Sequence, residues 1–209
     1  MAQVFDGITV LDFTRGMPGG IATMVMSDFG AEVIKVESPS GDRFRESPGS
    51  IQWNRGKKSV ILDLKTAEGR EQAQKLAQVS DVVVESFRPG VTKRLGIDYT
   101  SLRANHPELV YASLTGFGSE GPYANYKGYD AVVAAKTGRM MMFSGQNPRQ
   151  GPNYVVVHGV CHSAATALIR GITTALYLRE KTGQGQLVET SMLKTITTYD
   201  HISWIHGQM

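Results

Sequence analysis

A chain of 209 residues is long enough for one domain with a sizeable core, and its 41% hydrophobic and 20% charged residues describe an ordinary globular composition. No apolar run is long enough to span a membrane and the first residues lack the regions of a signal peptide, while a net charge of +3 without a dense Lys/Arg block argues against a nucleic-acid partner. Cys161 is the single cysteine, so no internal disulfide can form, which suits a reducing, cytoplasmic setting.

The elements follow in order. GITVLDFT (7–14) is a β-branched apolar run closed by the Gly/Pro-rich turn RGMPGG, which predicts a buried strand and a loop. IATMVMSDFG then has helical spacing with Gly30 as its stop, and AEVIKVE reads as a second strand. Strand, helix and strand make a βαβ unit, which implies a parallel sheet. KTAEGREQAQKLAQVS predicts a helix capped by Thr66, DVVVESF a buried strand, YTSLRANHPEL a short helix and LVYASLTGFG another strand. YDAVVAAKTGRMMM reads as helical, and AATALIRGITTALYLREKTG as a long buried helix ending in basic residues and Gly183. GQLVETSM predicts a last strand, and TYDHISWIHGQM a final helix that stops without a polar tail, as either a natural terminus or a chain cut within its fold.

Several stretches carry candidate chemistry. The TRGMPGG loop presents backbone N–H groups at a helix N-terminus, where an anion can bind, although its glycines do not fit G-x-G-x-x-G and a tight turn explains it equally well. The segment from Glu37 to Ser59 reads as a long loop collecting Arg43, Arg45, Arg55, Lys57 and Lys58, which suits a phosphorylated ligand or a solvated surface. In ESFRPGVTKRLGID, Phe87 ends a strand ahead of Lys93 and Arg94, a stacking ring and cations where open α/β sheets bind ligands. His158 and His162 lie four apart without the glutamate of H-E-x-x-H, so no metal site is expected. Cys161 is open to three readings: a nucleophile at a helix N-terminus, a stand-in for one, or small core filler.

Taken together, GITVLDFT, DFGAEVIKVE, NRGKKSVILDLKTAEG, DVVVESFRPGVTKRLGIDY, LVYASLTGFGSEGPY, KGYD and LYLREKTGQGQLVETSML resemble the class III (family III) CoA-transferases over essentially the whole chain. That family includes formyl-CoA transferase and carnitine CoA-transferase, with α-methylacyl-CoA racemase as a relative. The resemblance implies an α/β fold with a Rossmann-like parallel sheet and flanking helices, in chains that interlock as dimers. Family members are longer, so residues 1–209 would form a single α/β CoA-binding domain, the N-terminal large-domain portion, without the small domain and C-terminal return. The implied partners are an acyl-CoA and a carboxylic acid, with CoA a substrate and not a permanent cofactor, and a homodimer or a heteromer with a full-length CoA-transferase subunit. Carried over position by position, the backbone at Gly16, Met17 and Pro18 would pass the CoA, and Leu62 and Lys65 would meet its nucleotide end. Ser86 and Phe87 match the family's E-[NS]-F motif, Arg94 a phosphate-binding arginine, and Lys127 a cation ahead of GYD.

The family nucleophile is an aspartate at a fixed distance before the REKTGQG-like helix end, and counting back from Thr182 lands on Cys161. Neither Val160 nor His162 is an acid, and the nearest acid upstream, Asp130, belongs to GYD and is a separate family position; Cys161, at the nucleophile's place, and Asp130 are the catalytic candidates. The family aspartate attacks acyl-CoA to give a mixed anhydride and then becomes an aspartyl-CoA thioester. A cysteine has no acyl carbon to offer, so the alternatives are a catalytically degenerate, non-catalytic subunit, or acyl transfer through Cys161 with His158 or His162 as base. The racemase reading also loses its pair, since Tyr129 stands where that relative has a histidine.

Overall fold

The computed structural model describes residues 3–199. Apolar, β-branched runs form the parallel strands β1 (Thr9–Phe13), β2 (Glu32–Glu37), β3 (Lys58–Ile61), β4 (Val82–Glu85), β5 (Val110–Thr115) and β6 (Leu187–Ser191). Their order across the sheet is β3-β2-β1-β4-β5-β6, the doubly wound arrangement in which the chain reverses direction between β1 and β4. Both faces are covered, so side chains alternate between two cores instead of between core and solvent. Val10, Val82, Val84, Val110 and Ala112 face α1 (Met17–Asp28) and α8 (Gly159–Thr182), while Leu11, Phe13, Val83 and Tyr111 face α3 (Ala67–Gln78) and α5 (Tyr99–Arg103).

The expected βα alternation is present, with corrections at places where local composition misleads. The basic segment after Glu37 is not one loop: it contains the short helix α2 (Ser50–Trp53) and then β3. β3 is an edge strand with two exposed residues at its start, so its sequence looks polar. TKRL lies in the short helix α4 (Val91–Leu95). The helix expected from Tyr129 to Met142 is two pieces, α6 (Asp130–Lys136) and α7 (Arg139–Met142), separated at Gly138 in the left-handed region. The α8 helix begins upstream of its apolar run, so Cys161 lies in its first turn. A short helix, α9 (Met192–Ile196), follows β6; residues 200–209 of the expected final helix lie outside the described residues.

Two features fix the geometry near the carboxyl ends of the strands. The α8 helix is held at its far end by Arg179, whose Nη1 lies 3.0 Å from Asp81 Oδ1, while Asp81 Oδ2 accepts the Thr9 N–H at 2.8 Å. The second is a wholly buried charge at the end of β1. Asp12 accepts hydrogen bonds from the Thr14 N–H (2.8 Å), the Thr14 hydroxyl (2.6 Å), the Thr23 hydroxyl (2.7 Å) and Lys57 Nζ (3.0 Å). Lys57 also donates to the Gly20 carbonyl, and Lys35 donates to the Thr14 carbonyl and pairs with Asp42 at 3.2 Å. Burial alone would raise the Asp12 carboxyl, but Lys57, Lys35 and the two hydroxyls hold it below the usual carboxylate range. Burial also pulls the Lys57 ammonium below the usual lysine range despite the aspartate against it.

Removing one member of such a pair strands the other. Lys57→Met should therefore cost about 3–5 kcal/mol of unfolding free energy, whereas Asp12→Asn combined with Lys57→Met should recover most of it. Urea unfolding reads both variants, and an equal loss in the two would show that charge burial is not the cause.

Candidate functional site

The reversal between β1 and β4 leaves a crevice beyond the carboxyl ends of the strands, where doubly wound sheets accept ligands. Here it is a cleft of about 870 Å³. Its wall along the β1 end is the loop of Gly16, Met17 and Pro18, and its wall beyond β3 is Leu62 with Lys65. Ser86 and Phe87 approach from the end of β4, Arg94 from α4, and Lys127 and Asp130 from the segment leading into α6. Cys161 reaches it from the first turn of α8. Every CoA-binding position carried over from the family, with Cys161 and Asp130, thus lines the same cleft from six separate segments of the chain. Arg45, Arg55, Lys57, Lys58, Lys93 and His162 lie outside its lining, Lys57 being buried against Asp12 and Arg55 paired with Asp28.

The structure adds Arg15, Phe44 and Tyr154, which sequence reasoning passed over, and brings Arg43 and Tyr129 to the same cleft. The Arg15 N–H donates to Ser86 Oγ at 2.9 Å and the Arg15 guanidinium lies 5.6 Å from the Phe87 ring centre, so the loops after β1 and β4 are tied together. Phe44 packs on Gly16, where a Cβ would sit 3.2 Å from the ring; with a φ of 77° this position requires glycine. Arg43 stacks on Phe44 and its Nη2 lies 3.4 Å from the Tyr129 hydroxyl, a bridge between the two sides of the cleft. Arg43, with help from Lys127 and Arg88, lowers the Tyr129 phenol from its ordinary value. Position directly after a strand could have flagged Arg15. No local pattern marks Tyr154, which lines the cleft with His158 from the segment before α8.

The cleft is electropositive. Arg15, Arg43, Lys65, Arg88, Arg94 and Lys127 line it, and among the described residues none is within ion-pairing distance of an acid. Such cations suit a polyanionic ligand, and Phe87 with Leu62 supplies an apolar face. The chemistry at the floor is different. Asp130, 8% exposed, accepts the Cys161 N–H on Oδ2 at 2.8 Å and the Tyr154 hydroxyl on Oδ1 at 3.0 Å. Burial, then the adjacent Asp130 carboxylate, pushes the Cys161 thiol up, so it is a neutral thiol and not a thiolate. Among the described residues no histidine is hydrogen-bonded to it: His158 Nδ1 lies 2.8 Å from the Val156 carbonyl, and His162 is exposed. That arrangement speaks against acyl transfer through Cys161. No group of three metal-ligating side chains is close enough to hold a metal among the described residues, and no helix among them is long and apolar enough to cross a membrane.

Comparison with known proteins gives a consistent picture. The family model described as CoA-transferase family III matches residues 5–206. A probable fatty acyl-CoA transferase of Mycobacterium tuberculosis is 39% identical over 202 residues, covering 91% of this chain and 51% of that protein. An acetyl-CoA:oxalate CoA-transferase of Acetobacter aceti is 38% identical over 199 residues, covering 90% of this chain and 50% of that protein. A crystal structure of the M. tuberculosis protein superposes with a TM-score of 0.93 at 36% identity, over 99% of this chain and 58% of that one. The chain therefore spans about half the length of the curated relatives it matches.

Two residues behind the cleft give direct tests. Glu85 ends β4 and accepts the Phe87 N–H at 2.7 Å; burial pushes its carboxyl up to about 7 against the hydrogen bonds from Ser113 and Phe87, with nearby Glu189 adding to the rise. The folded protein thus holds an extra proton between the ordinary value of 4.5 and about 7. The stability this contributes is complete below the ordinary value, drains as pH climbs through that window and is gone above it. Glu85→Gln should flatten this slope and stabilise the protein by on the order of 3 kcal/mol at about pH 8, with little change at about pH 4. Melting curves across pH check it, and a slope identical to the parent's would remove Glu85 as its source. The second residue is Gly116, at the end of β5. A Cβ there would meet the Gly128 Cα at 2.5 Å, so the segment carrying Lys127 and Asp130 is seated by direct backbone contact. Gly116→Ala should cost about 1–3 kcal/mol by overpacking, read as a lowered denaturant midpoint.

Proposed function

This chain belongs to CoA-transferase family III, and from that premise we propose that its cleft binds CoA thioesters and that it transfers CoA between an acyl thioester and a carboxylic acid. The observation that carries this reading is the convergence of all the carried-over CoA positions on one electropositive cleft whose floor is Asp130 and Cys161. In this reading the backbone at Gly16, Met17 and Pro18 passes the pantetheine arm, and Leu62 with Lys65 meets the nucleotide end. Phe87 supplies a face for adenine beside Ser86, while Arg94 and Lys127 neutralise phosphates. The thioester is then delivered to the α8 end of the cleft. CoA acts as a substrate, no resident cofactor is invoked, and residues 1–209 serve as one α/β CoA-binding domain. We place the protein in the cytoplasm, in a homodimer or with a full-length CoA-transferase subunit.

A second reading is favoured by one specific observation. Cys161 occupies the position expected of the nucleophilic carboxylate and presents a buried, neutral thiol with no acyl carbon. On that ground the chain would bind CoA without catalysing exchange, as a non-catalytic subunit. Exchange of labelled CoA between an acyl-CoA and a free carboxylate separates the two readings.

Binding itself is tested by isothermal titration with CoA, acetyl-CoA and succinyl-CoA. Each should bind, with affinity that weakens as salt rises, and Arg94→Ala should weaken CoA binding roughly tenfold, about 1.4 kcal/mol, through loss of a charge-assisted contact. Absence of heat with all three ligands would overturn the reading.

A further inference from the structure

The carboxyl end of the sheet carries a row of polar side chains that the CoA-binding positions do not use. In register across the strands, Phe13 of β1 pairs with Glu85 of β4, Glu85 with Ser113 of β5, and Ser113 with Glu189 of β6. Residues paired this way share a face, so an acid, a hydroxyl and a second acid stand side by side on the face that Val83 and Tyr111 turn to α3 and α5. Glu189 is exposed at the sheet edge, whereas Glu85 is buried. The Glu85 carboxyl accepts the Phe87 N–H, and Phe87 lines the cleft beside Ser86, whose hydroxyl accepts the Arg15 N–H. A buried acid thus stands directly behind the aromatic wall and is tied to it by one hydrogen bond.

The charges around Glu85 do not neutralise it. Among the described residues no cation is ion-paired with it. On β1, Asp12 is held by Lys57, and the one charged residue of α1, Asp28, is paired with Arg55 at its far end. On α3, Arg70 donates to the Leu64 and Lys65 carbonyls and Lys75 pairs with Glu71. Asp98, ahead of α5, is bound to Ser101, and Arg103 lies over the Tyr99 ring. The α4 helix brings Lys93 and Arg94 in its last turn, β5 brings Tyr111 and β6 brings Glu189. Burial favours the proton on Glu85, the hydrogen bonds from Ser113 and Phe87 favour the anion, and Glu189 adds to the first, so the carboxyl loses its proton at about 7.

We propose that Glu85 is the positioning residue of the Ser86–Phe87 wall and that binding of CoA is coupled to the proton it carries; the proposal rests on the reading of the cleft as a CoA site. A neutral carboxyl and a carboxylate both accept the Phe87 N–H, so the wall keeps its place in either form. The two forms differ in charge. The anion lies behind the surface against which a polyanionic ligand rests, and it opposes the phosphates. A bound polyanion therefore favours the proton on Glu85, and by reciprocity the protonated protein binds CoA more tightly. Affinity is then greatest below about 7 and falls as pH rises through and beyond that value.

Two other groups titrate nearby and have to be separated from Glu85. The phosphomonoester of CoA gains charge above about 6, which acts in the opposite direction, and His158 lines the cleft. Glu85→Gln keeps an acceptor for the Phe87 N–H and removes only the titration. CoA is titrated calorimetrically into both proteins from about pH 6 to about pH 8. Relative to the variant, the parent should lose about fivefold in affinity across that range. Dephospho-CoA, which has no phosphomonoester, is then titrated at about pH 7 in buffers of differing ionisation enthalpy. The parent should take up a fraction of a proton per ligand bound, and Glu85→Gln should not. Parallel affinity profiles, no uptake by the parent, or uptake that persists in the variant overturns the coupling and leaves CoA binding standing. Failure of the parent to bind CoA at any pH overturns both.

Discussion

The site depends on a charge placed where no water reaches it. Asp12 ends the central strand inside the core, and its acceptor oxygens dictate what the chain must do next: Thr14 folds back onto it, Thr23 approaches from α1, and Lys57 is drawn in from the edge of the sheet. Lys35 extends the arrangement to Asp42, so the first loop and the segment beyond β2 are set by one connected group of charges. A carboxylate buried this deeply persists only when its partners satisfy it, so the loops that shape the cleft are held together in a single geometry.

Much of the architecture could be read from the residues because the sheet is buried on both faces. Runs such as TVLDF and VVVE admit few other readings, and the polar helix after Thr66 announces its own cap, which the Thr66 hydroxyl supplies to the Gly69 N–H. β3 escaped because an edge strand can be charged, and the break at Gly138 escaped because AVVAAK and RMMM are each good helix formers. The site was partly legible for a different reason. Gly16 and Phe87 sit just past strand ends and Arg94 in the short helix after a Pro-Gly turn, places that local chemistry marks, but their convergence is a property of sheet order, which no local window contains.

Cys161 shows both sides of this. Counting back from Thr182 gives a meaningful position because the structure runs as helix without interruption from Gly159 to Thr182. What the count cannot supply is the partner: Asp130 is thirty-one residues upstream and reaches the cysteine across the α6–α8 packing. Tyr154 joins them from an irregular segment, where neither periodicity nor composition marks a residue.

The α8 helix is anchored to the sheet by Arg179 at one end and to Asp130 at the other, so it behaves as a spacer of fixed phase. Each residue of an α-helix turns the axis by about 100° and advances it by about 1.5 Å. One residue gained or lost between those anchors would swing the cleft floor a quarter-turn or more away from its acid. Length drift in this helix is therefore confined to changes that restore whole turns, a restriction on insertion and deletion that no single side chain imposes.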